Sequence, residues 1–309
     1  MCICVVRDEV DVIAQSLTAA LAWADRIGVL DNGSVDGTAE VVRDLAERDD
    51  RILYLGSDAR PFGDDIRIGI FEALRREARD GDWWCRLDAD EFYVGDPRVQ
   101  LARVAQDEHS VWTASLNYYF TDRDLARHLA EPGFYDSPDV PITDKLRHYM
   151  NYWSEPRFFR HTSGLTWRPG DGGFPRAIWS RPASTERVLV RHFPYRSPAQ
   201  IDKRLATRAR DAETSVTFEH ENGSAWVQAV VDFRSDPGTF AHPAERVTQT
   251  WRDRVVPAEV LDYDDHDGRF VINDQLMPPI PAPRRMLPRP LARVQRAVAR
   301  VGRTDRSGF

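Results

Sequence analysis

The sequence predicts an α/β protein built on a mostly parallel, Rossmann-like sheet flanked by helices. Two observations predict it. Over residues 1–93, short apolar runs alternate with segments whose apolar residues recur every three or four positions. Two of those runs stop at dense polar clusters: Asp31 to Thr38 after the run 27–30, and Asp88-Ala89-Asp90-Glu91 after the run 83–87. Alternation with short connections gives parallel strands joined by right-handed crossovers. Unbroken apolar strands are what a sheet covered on both faces requires. Ligands of such sheets gather at the carboxyl ends of the strands, where both clusters stand.

Residues 3–6 form the first strand, and Arg7-Asp8-Glu9 follows it at once. Val10, Ile13, Leu17, Ala20 and Leu21 then share one face of a helix, with Asp8 or Asp11 as its N-cap. The second strand, 27–30, ends in Asp31-Asn32-Gly33-Ser34-Val35-Asp36-Gly37-Thr38, a segment dense in turn formers. A helix with Val41, Val42 and Leu45 inward leads to a third strand at 52–55. Ile66, Ile70 and Leu74 step by four along the next helix, which delivers the chain to the strand at Trp83. That strand runs into three acids within four positions. Carboxylates do not belong in a core unless they are paired or hold a cation, so this loop presents oxygen ligands to a hard divalent ion or is a solvated turn.

Composition narrows the class. The chain has 309 residues, 42% hydrophobic and 29% charged, as soluble globular proteins do. The net charge is −7; the eight arginines and one aspartate from Ala282 onward contribute +7, which leaves −14 on the body. An acidic body argues against a nucleic-acid partner. No stretch approaches the roughly 20 apolar residues of a membrane span, and no basic leader precedes the first apolar run, so a cytoplasmic location is expected. The three cysteines fit a reducing compartment, with Cys2 and Cys4 as small core residues. Strand one is not followed by G-x-G-x-x-G, and no P-loop occurs, which removes dinucleotide binding and P-loop chemistry.

Three motifs in chain order carry a family resemblance. Asp31-Asn32-Gly33-Ser34-Val35-Asp36-Gly37-Thr38 is similar to the D-[DN]-G-S-x-D-G-T segment of GT-A glycosyltransferases of the family 2 type. Arg7-Asp8-Glu9 resembles that family's [KR]-N-E, and Asp88-Ala89-Asp90-Glu91 its D-x-D loop. Arg67-Ile68-Gly69 stands where the family often has R-N-x-G, with the asparagine missing. The resemblance implies a GT-A fold, a nucleotide-sugar donor, a Mn²⁺ or Mg²⁺ ion, and inverting, hexosyltransferase-type transfer to a hydroxyl acceptor (glycan, lipid-linked or small molecule). It implies donor contacts at Arg7, Glu9, Arg67 and Asp31, the last at base or ribose. Asp90 would hold the metal, and Asp88 the ribose or the metal. A divalent ion neutralises the leaving diphosphate, and a base takes the acceptor proton.

The second half supplies the acceptor side. Residues 110–120 form a strong β run, and 121–154 reads as a loop-rich, acceptor-facing insertion or lid. Short strands are expected at 157–160 and 165–167. Asp171, amid glycines, is the candidate catalytic base, with Glu155 and Glu186 as rivals. The strand 188–191 ends at His192, in the place where a histidine of related GT-A proteins completes the metal shell or touches the diphosphate, and Arg196 would offset phosphate charge. A polar helix at 200–212 and a short element at 226–233 follow. The acids at 262–267 read as a solvated turn, since they lack the EF-hand spacing.

These readings divide the chain into a GT-A domain at 1–235, a C-terminal extension at 236–277 and a Pro/Arg-rich tail at 278–309. Within the domain, 1–93 is the nucleotide-sugar half and 94–235 the acceptor half. In the tail, Leu291, Val294, Val298 and Val301 share one face opposite four arginines, a pattern for peripheral contact with the inner face of a membrane, for an acidic partner, or for a plain solvated tail. The rivals are a nucleotidyltransferase and a non-catalytic nucleotide- or glycan-binding GT-A-like protein.

Overall fold

The computed structural model of the chain describes residues 1–214, 223–244, 256–258, 263–266, 269–272 and 280. The first half follows the expected alternation: β1 (Cys2–Val6), α1 (Ile13–Ala20), β2 (Ile27–Asp31), α2 (Thr38–Arg48), β3 (Ile52–Ser57), α3 (Ile66–Leu74) and β4 (Trp83–Leu87). These strands lie in the order β4-β1-β2-β3 and all pair in parallel. Side chains alternate across the strands. From β1, Cys2, Cys4 and Val6 enter a core against Ile13, Leu17 and Val42, while Ile3 enters another with Ile70, Phe71 and Trp84. A Cβ at Gly28 would overlap Ile70 Cγ2, so α3 lies on β2 at a distance only glycine permits. The three cysteines are buried and free.

The second half turns the sheet around. It contains β5 (Glu91–Tyr93), α4 (Pro97–Leu101), β6 (Ser110–Tyr118), α5 (Asp122–Ala130), α6 (Ile142–Lys145), β7 (His148–Trp153), β8 (Pro156–Arg160), α7 (Arg176–Trp179) and β9 (Ala183–His192). Then come α8 (Pro198–Thr214), α9 (Gly223–Ser235) and three short strands, β10 (Val256–Pro257), β11 (Tyr263–His266) and β12 (Arg269–Ile272). β8 inserts antiparallel between β4 and β6. β9 runs parallel to β6 and antiparallel to β5. β10 pairs with β7, so part of the segment read as a C-terminal extension adds a strand to the main sheet. β11 and β12 form a separate two-stranded sheet.

Four local expectations differ from the structure. Asp264 and Asp265, read as part of a solvated turn, lie in β11 and pair with β12. Segment 121–154 holds two helices and a strand; Thr121 and Asp124 close a capping box on α5, which starts a helix without a strong apolar stripe. Residues 165–167 are not a strand. Leu165 and Trp167 are buried against the Phe71 and Phe159 cluster, and that alternating burial imitates strand periodicity without a pairing partner. Neither Asp8 nor Asp11 caps α1, whose N-cap is Val12; both carboxylates face α8 and its entry instead. Among the described residues, no helix is long and apolar enough to cross a membrane. The tail helix lies outside the described residues. So do Asp262 and Asp267 of the acidic turn.

Candidate active site

The carboxyl ends of β1, β4 and β9 surround one cleft of about 560 Å³. The turn between β4 and β5 carries Asp88, Ala89 and Asp90. Directly after it, β5 pairs with β9 so that Glu91 stands opposite His192, and the Phe193 amide donates to the Asp90 carbonyl at 2.9 Å. This register brings His192 Nε2 to 3.5 Å from Asp90 Oδ2. The other ring nitrogen, Nδ1, is 2.8 Å from Asn117 Oδ1, and Asn117 Nδ2 donates to the Ser115 carbonyl, which fixes the amide's orientation. Nδ1 therefore carries the hydrogen, and Nε2 is left to face the carboxylate.

Charge is dense here, and most of it is paired. Asp90 lies 3.2 Å from Arg204 and 3.9 Å from Arg196. Burial pushes its carboxyl upward, but His192 and the two arginines outweigh burial and hold it well below the usual carboxylate range. Burial works against the charged form of His192, and Asp90 overcomes it and raises the imidazole. Asp88 pairs with Arg157 at 2.7 Å and Arg67 at 3.5 Å. Burial alone would raise Asp88 too; Arg157 and Arg67 bring it down to about 2. Glu91 is buried and gripped by Arg157, whose Nε donates to it at 2.9 Å and whose Nη2 donates at 2.5 Å. Glu91 thus holds the loop in shape.

The sequence-predicted residues fall into two groups. Arg7, Glu9, Arg67, Asp88, Asp90 and His192 all line the cleft. Asp31, Asp171 and Arg196 do not. The Asp31 carboxylate is 1% exposed and accepts from the Gly33 and Ser34 amides and from Ser57 Oγ, so it shapes its own loop. From that loop it is Asn32 that reaches the wall. Arg196 is fully buried. It grips Glu9, both oxygens of Asp11 and the Phe193 carbonyl, and so acts on Asp90 from below rather than facing a ligand. Asp171 accepts from the Arg168 amide at 2.9 Å within its turn. Glu155 is on the wall instead, held by Arg86 at 2.5 Å and Arg157 at 2.7 Å.

Sequence reasoning passed over Arg157, Lys203, Arg204 and Arg208, all of which line the cleft. Three belong to α8, where Lys203, Thr207 and Asp211 step by four beside Arg204 and Arg208. That polar stripe at helical spacing was the available signal. Counting the lining side chains, Arg7, Arg67, Arg157, Lys203, Arg204 and Arg208 balance Asp8, Glu9, Asp88, Asp90, Glu155 and Asp211. Asp8 adopts a left-handed backbone (φ 56°), the one non-glycine residue to do so among those described. Its carboxylate accepts from the Val35 amide and pairs with Lys203, which ties the β1 and β2 ends to α8.

Could a divalent cation fit? Asp88, Glu91 and Glu155 place oxygens within 4.8 Å of one another, but Arg157 already serves all three as counter-ion. Asp90 has counter-ions too, Arg204 at 3.2 Å and Arg196 at 3.9 Å, but beside it stands a histidine nitrogen, a second kind of donor. Two donors bound at right angles to one ion, each at about 2.1 Å, stand about 3 Å apart. The observed 3.5 Å needs only a small adjustment. Asp90 and His192 would supply two donors to such an ion, one oxygen and one nitrogen.

Residues 2–168 match the family model described as glycosyl transferase family 2. The chain belongs to glycosyl transferase family 2. Its fold is the GT-A fold, and its role is glycosyl transfer. Solved structures give weak likenesses to this family 2 chain. A mannosyltransferase from Pyrobaculum calidifontis, in complex with GDP-Man and Mn²⁺, is 13% identical over 77% of this chain and 76% of its own, with a TM-score of 0.38. Residues 1–349 of TarS from S. aureus are 11% identical over 77% of this chain and 71% of that one, with a TM-score of 0.35. GalNAc-T7 with UDP, GalNAc and Mn²⁺ is 10% identical over 78% and 54%, again with a TM-score of 0.35. None of the curated proteins compared matches this glycosyltransferase.

Proposed function

We propose that this glycosyltransferase moves a sugar from a nucleoside-diphosphate donor to a hydroxyl acceptor with inversion, assisted by Mn²⁺ or Mg²⁺ at Asp90 and His192. The observation that carries the reading is the β5–β9 register, which sets a histidine nitrogen and a D-x-D carboxylate 3.5 Å apart at the mouth of a parallel sheet. The ion, when bound, neutralises charge on the leaving diphosphate. The chain's residues do the rest. Arg157 and Arg67 hold Asp88 ionised, ready to accept hydrogen bonds from ribose hydroxyls. Arg7, paired with Asp211, Lys203, paired with Asp8, and Arg208 line the cleft as cations for phosphate oxygens. The lining acids offset most of the lining cations, so an added divalent ion would strengthen the pull of the cleft on a dianionic diphosphate.

The acceptor proton goes to Glu155 in this scheme rather than to Asp171, because Glu155 stands on the cleft wall and Asp171 does not. Glu155→Gln is expected to lower kcat about 10²–10⁴-fold while donor affinity holds. Asp171→Asn should leave kcat within a few-fold of wild type, as a change away from the chemistry does. The reverse ranking in a steady-state assay would return the base to the 168–174 turn.

The function itself is tested by thermal melting against a panel of nucleotide sugars with and without Mn²⁺. One donor together with Mn²⁺ should raise the melting temperature by about 5 °C or more at saturating ligand. If no donor moves the transition in either condition, the reading fails.

A further inference from the structure

We propose that Arg204 is a stand-in cation: it neutralises Asp90 while the metal site is empty, and it turns to the donor diphosphate when a divalent ion arrives. The inference rests on the metal reading above and goes beyond it by giving Arg204 two alternative anionic partners, Asp90 and the diphosphate.

The two arginines near Asp90 are built differently. Arg196 is fully buried and locked by Glu9, Asp11 and the Phe193 carbonyl. Arg204 enters from the side, on the cleft-facing stripe of α8. It touches the acids through one nitrogen only: Nη1 is 3.2 Å from Asp90 Oδ2 and 3.3 Å from Glu9 Oε1. Its Nε is buried with no hydrogen-bond partner. The side chain keeps 22% of its surface exposed, and its guanidinium carbon lies 5.6 Å from the Tyr195 ring centroid. A cation–aromatic contact of that kind tolerates rotation of the head group. Arg204 is thus a loosely held charge over the carboxylate that a metal ion would share.

The electrostatics follow from the distances. Arg204 Nη1 and His192 Nε2 approach the same Asp90 oxygen, at 3.2 and 3.5 Å. A divalent ion seated between Asp90 and His192 would stand against the guanidinium within a few ångströms, and the repulsion is twice that of two unit charges. Arg204 must then withdraw. The cleft it lines is where the diphosphate is proposed to lie, and its planar fork suits phosphate oxygens. The cation leaves one anion as another arrives. Metal alone must expel Arg204 without compensation; metal with diphosphate gives it a partner. The two ligands are therefore coupled, each strengthening the other.

The test measures Mn²⁺ binding directly, from the paramagnetic resonance signal of free Mn²⁺, on the full chain with and without UDP or GDP. Wild type should bind Mn²⁺ weakly alone and about tenfold or more tightly with the nucleotide. Arg204→Gln should tighten binding of Mn²⁺ alone by about tenfold and lose most of the nucleotide's enhancement. Arg204→Lys, which keeps the charge, should shift the same way by less. If Arg204→Gln binds Mn²⁺ alone no better than wild type, while wild type shows the nucleotide-dependent gain, the stand-in role is wrong. If Arg204→Gln does not fold, Arg204→Lys decides, and an affinity for Mn²⁺ alone at or below wild type overturns the proposal. Absence of Mn²⁺ binding in wild type and variants, with or without either nucleotide, would overturn the metal reading itself.

Discussion

Asp90→Asn is expected to remove sugar transfer while leaving the fold in place. The substitution keeps the side chain's shape and the backbone bond between Phe193 and the Asp90 carbonyl. It deletes the negative charge that faces His192, Arg204 and Arg196. Cations would then crowd the cleft with no carboxylate to hold a divalent ion, and the leaving diphosphate would lose its stabilisation. Losing one charge-stabilising group from a catalytic site typically costs about 10²–10³-fold in kcat, and loss of a metal costs more. Transfer and donor hydrolysis should both fall by at least that factor, and added Mn²⁺ should not restore them. Activity within a few-fold of wild type, equal with and without chelator, would remove Asp90 from the mechanism.

Arg196→Met should give the largest loss of stability. The side chain has 0% exposure and joins Glu9 and Asp11, on one side of the β1–α1 turn, to the carbonyl that follows β9. Taking its charge away leaves Asp11 without this partner and Glu9 with Arg204 alone, and breaking a buried pair in that way costs about 3–5 kcal/mol. A urea melt should show the midpoint falling at unchanged slope. The sequence reading gave Arg196 a phosphate contact. If the variant melts like wild type but loses donor affinity, that reading stands and the buried-clamp role fails.

Legibility differed between the two halves for a physical reason. Strands β1 to β4 pair with one another in parallel through short crossovers, so each announces itself as a local apolar run with a turn behind it. Beyond Glu91 the sheet depends on pairings between distant segments. β8 enters between β4 and β6, and nothing local in Pro156–Arg160 states which neighbours it takes. The site divides along the same line. Asp88, Asp90 and His192 stand at strand ends, a position readable from sequence, and the structure brings Asp90 and His192 together. Asp31 and Arg196 do not line the cleft, because hydrogen bonds and ion pairs within the protein take up their charged groups. Arg157 and Arg204 went unnoticed since an arginine in an arginine-rich chain carries little signal until its partners are known.

The clamp at Arg196 also bears on how the molecule comes to be active. Arg196 and Glu9 are 187 positions apart in the chain, and Arg204 and Asp90 are 114 apart. Contacts of such long range cost loop-closure entropy before they return any stability, so they close late in folding. A chain that has formed β1 to β4 but not docked β9 and α8 would show a well-built parallel sheet and lack His192, Arg196 and Arg204 beside Asp90. Nucleotide affinity should therefore appear as the last event of refolding, after the secondary structure has recovered its full signal.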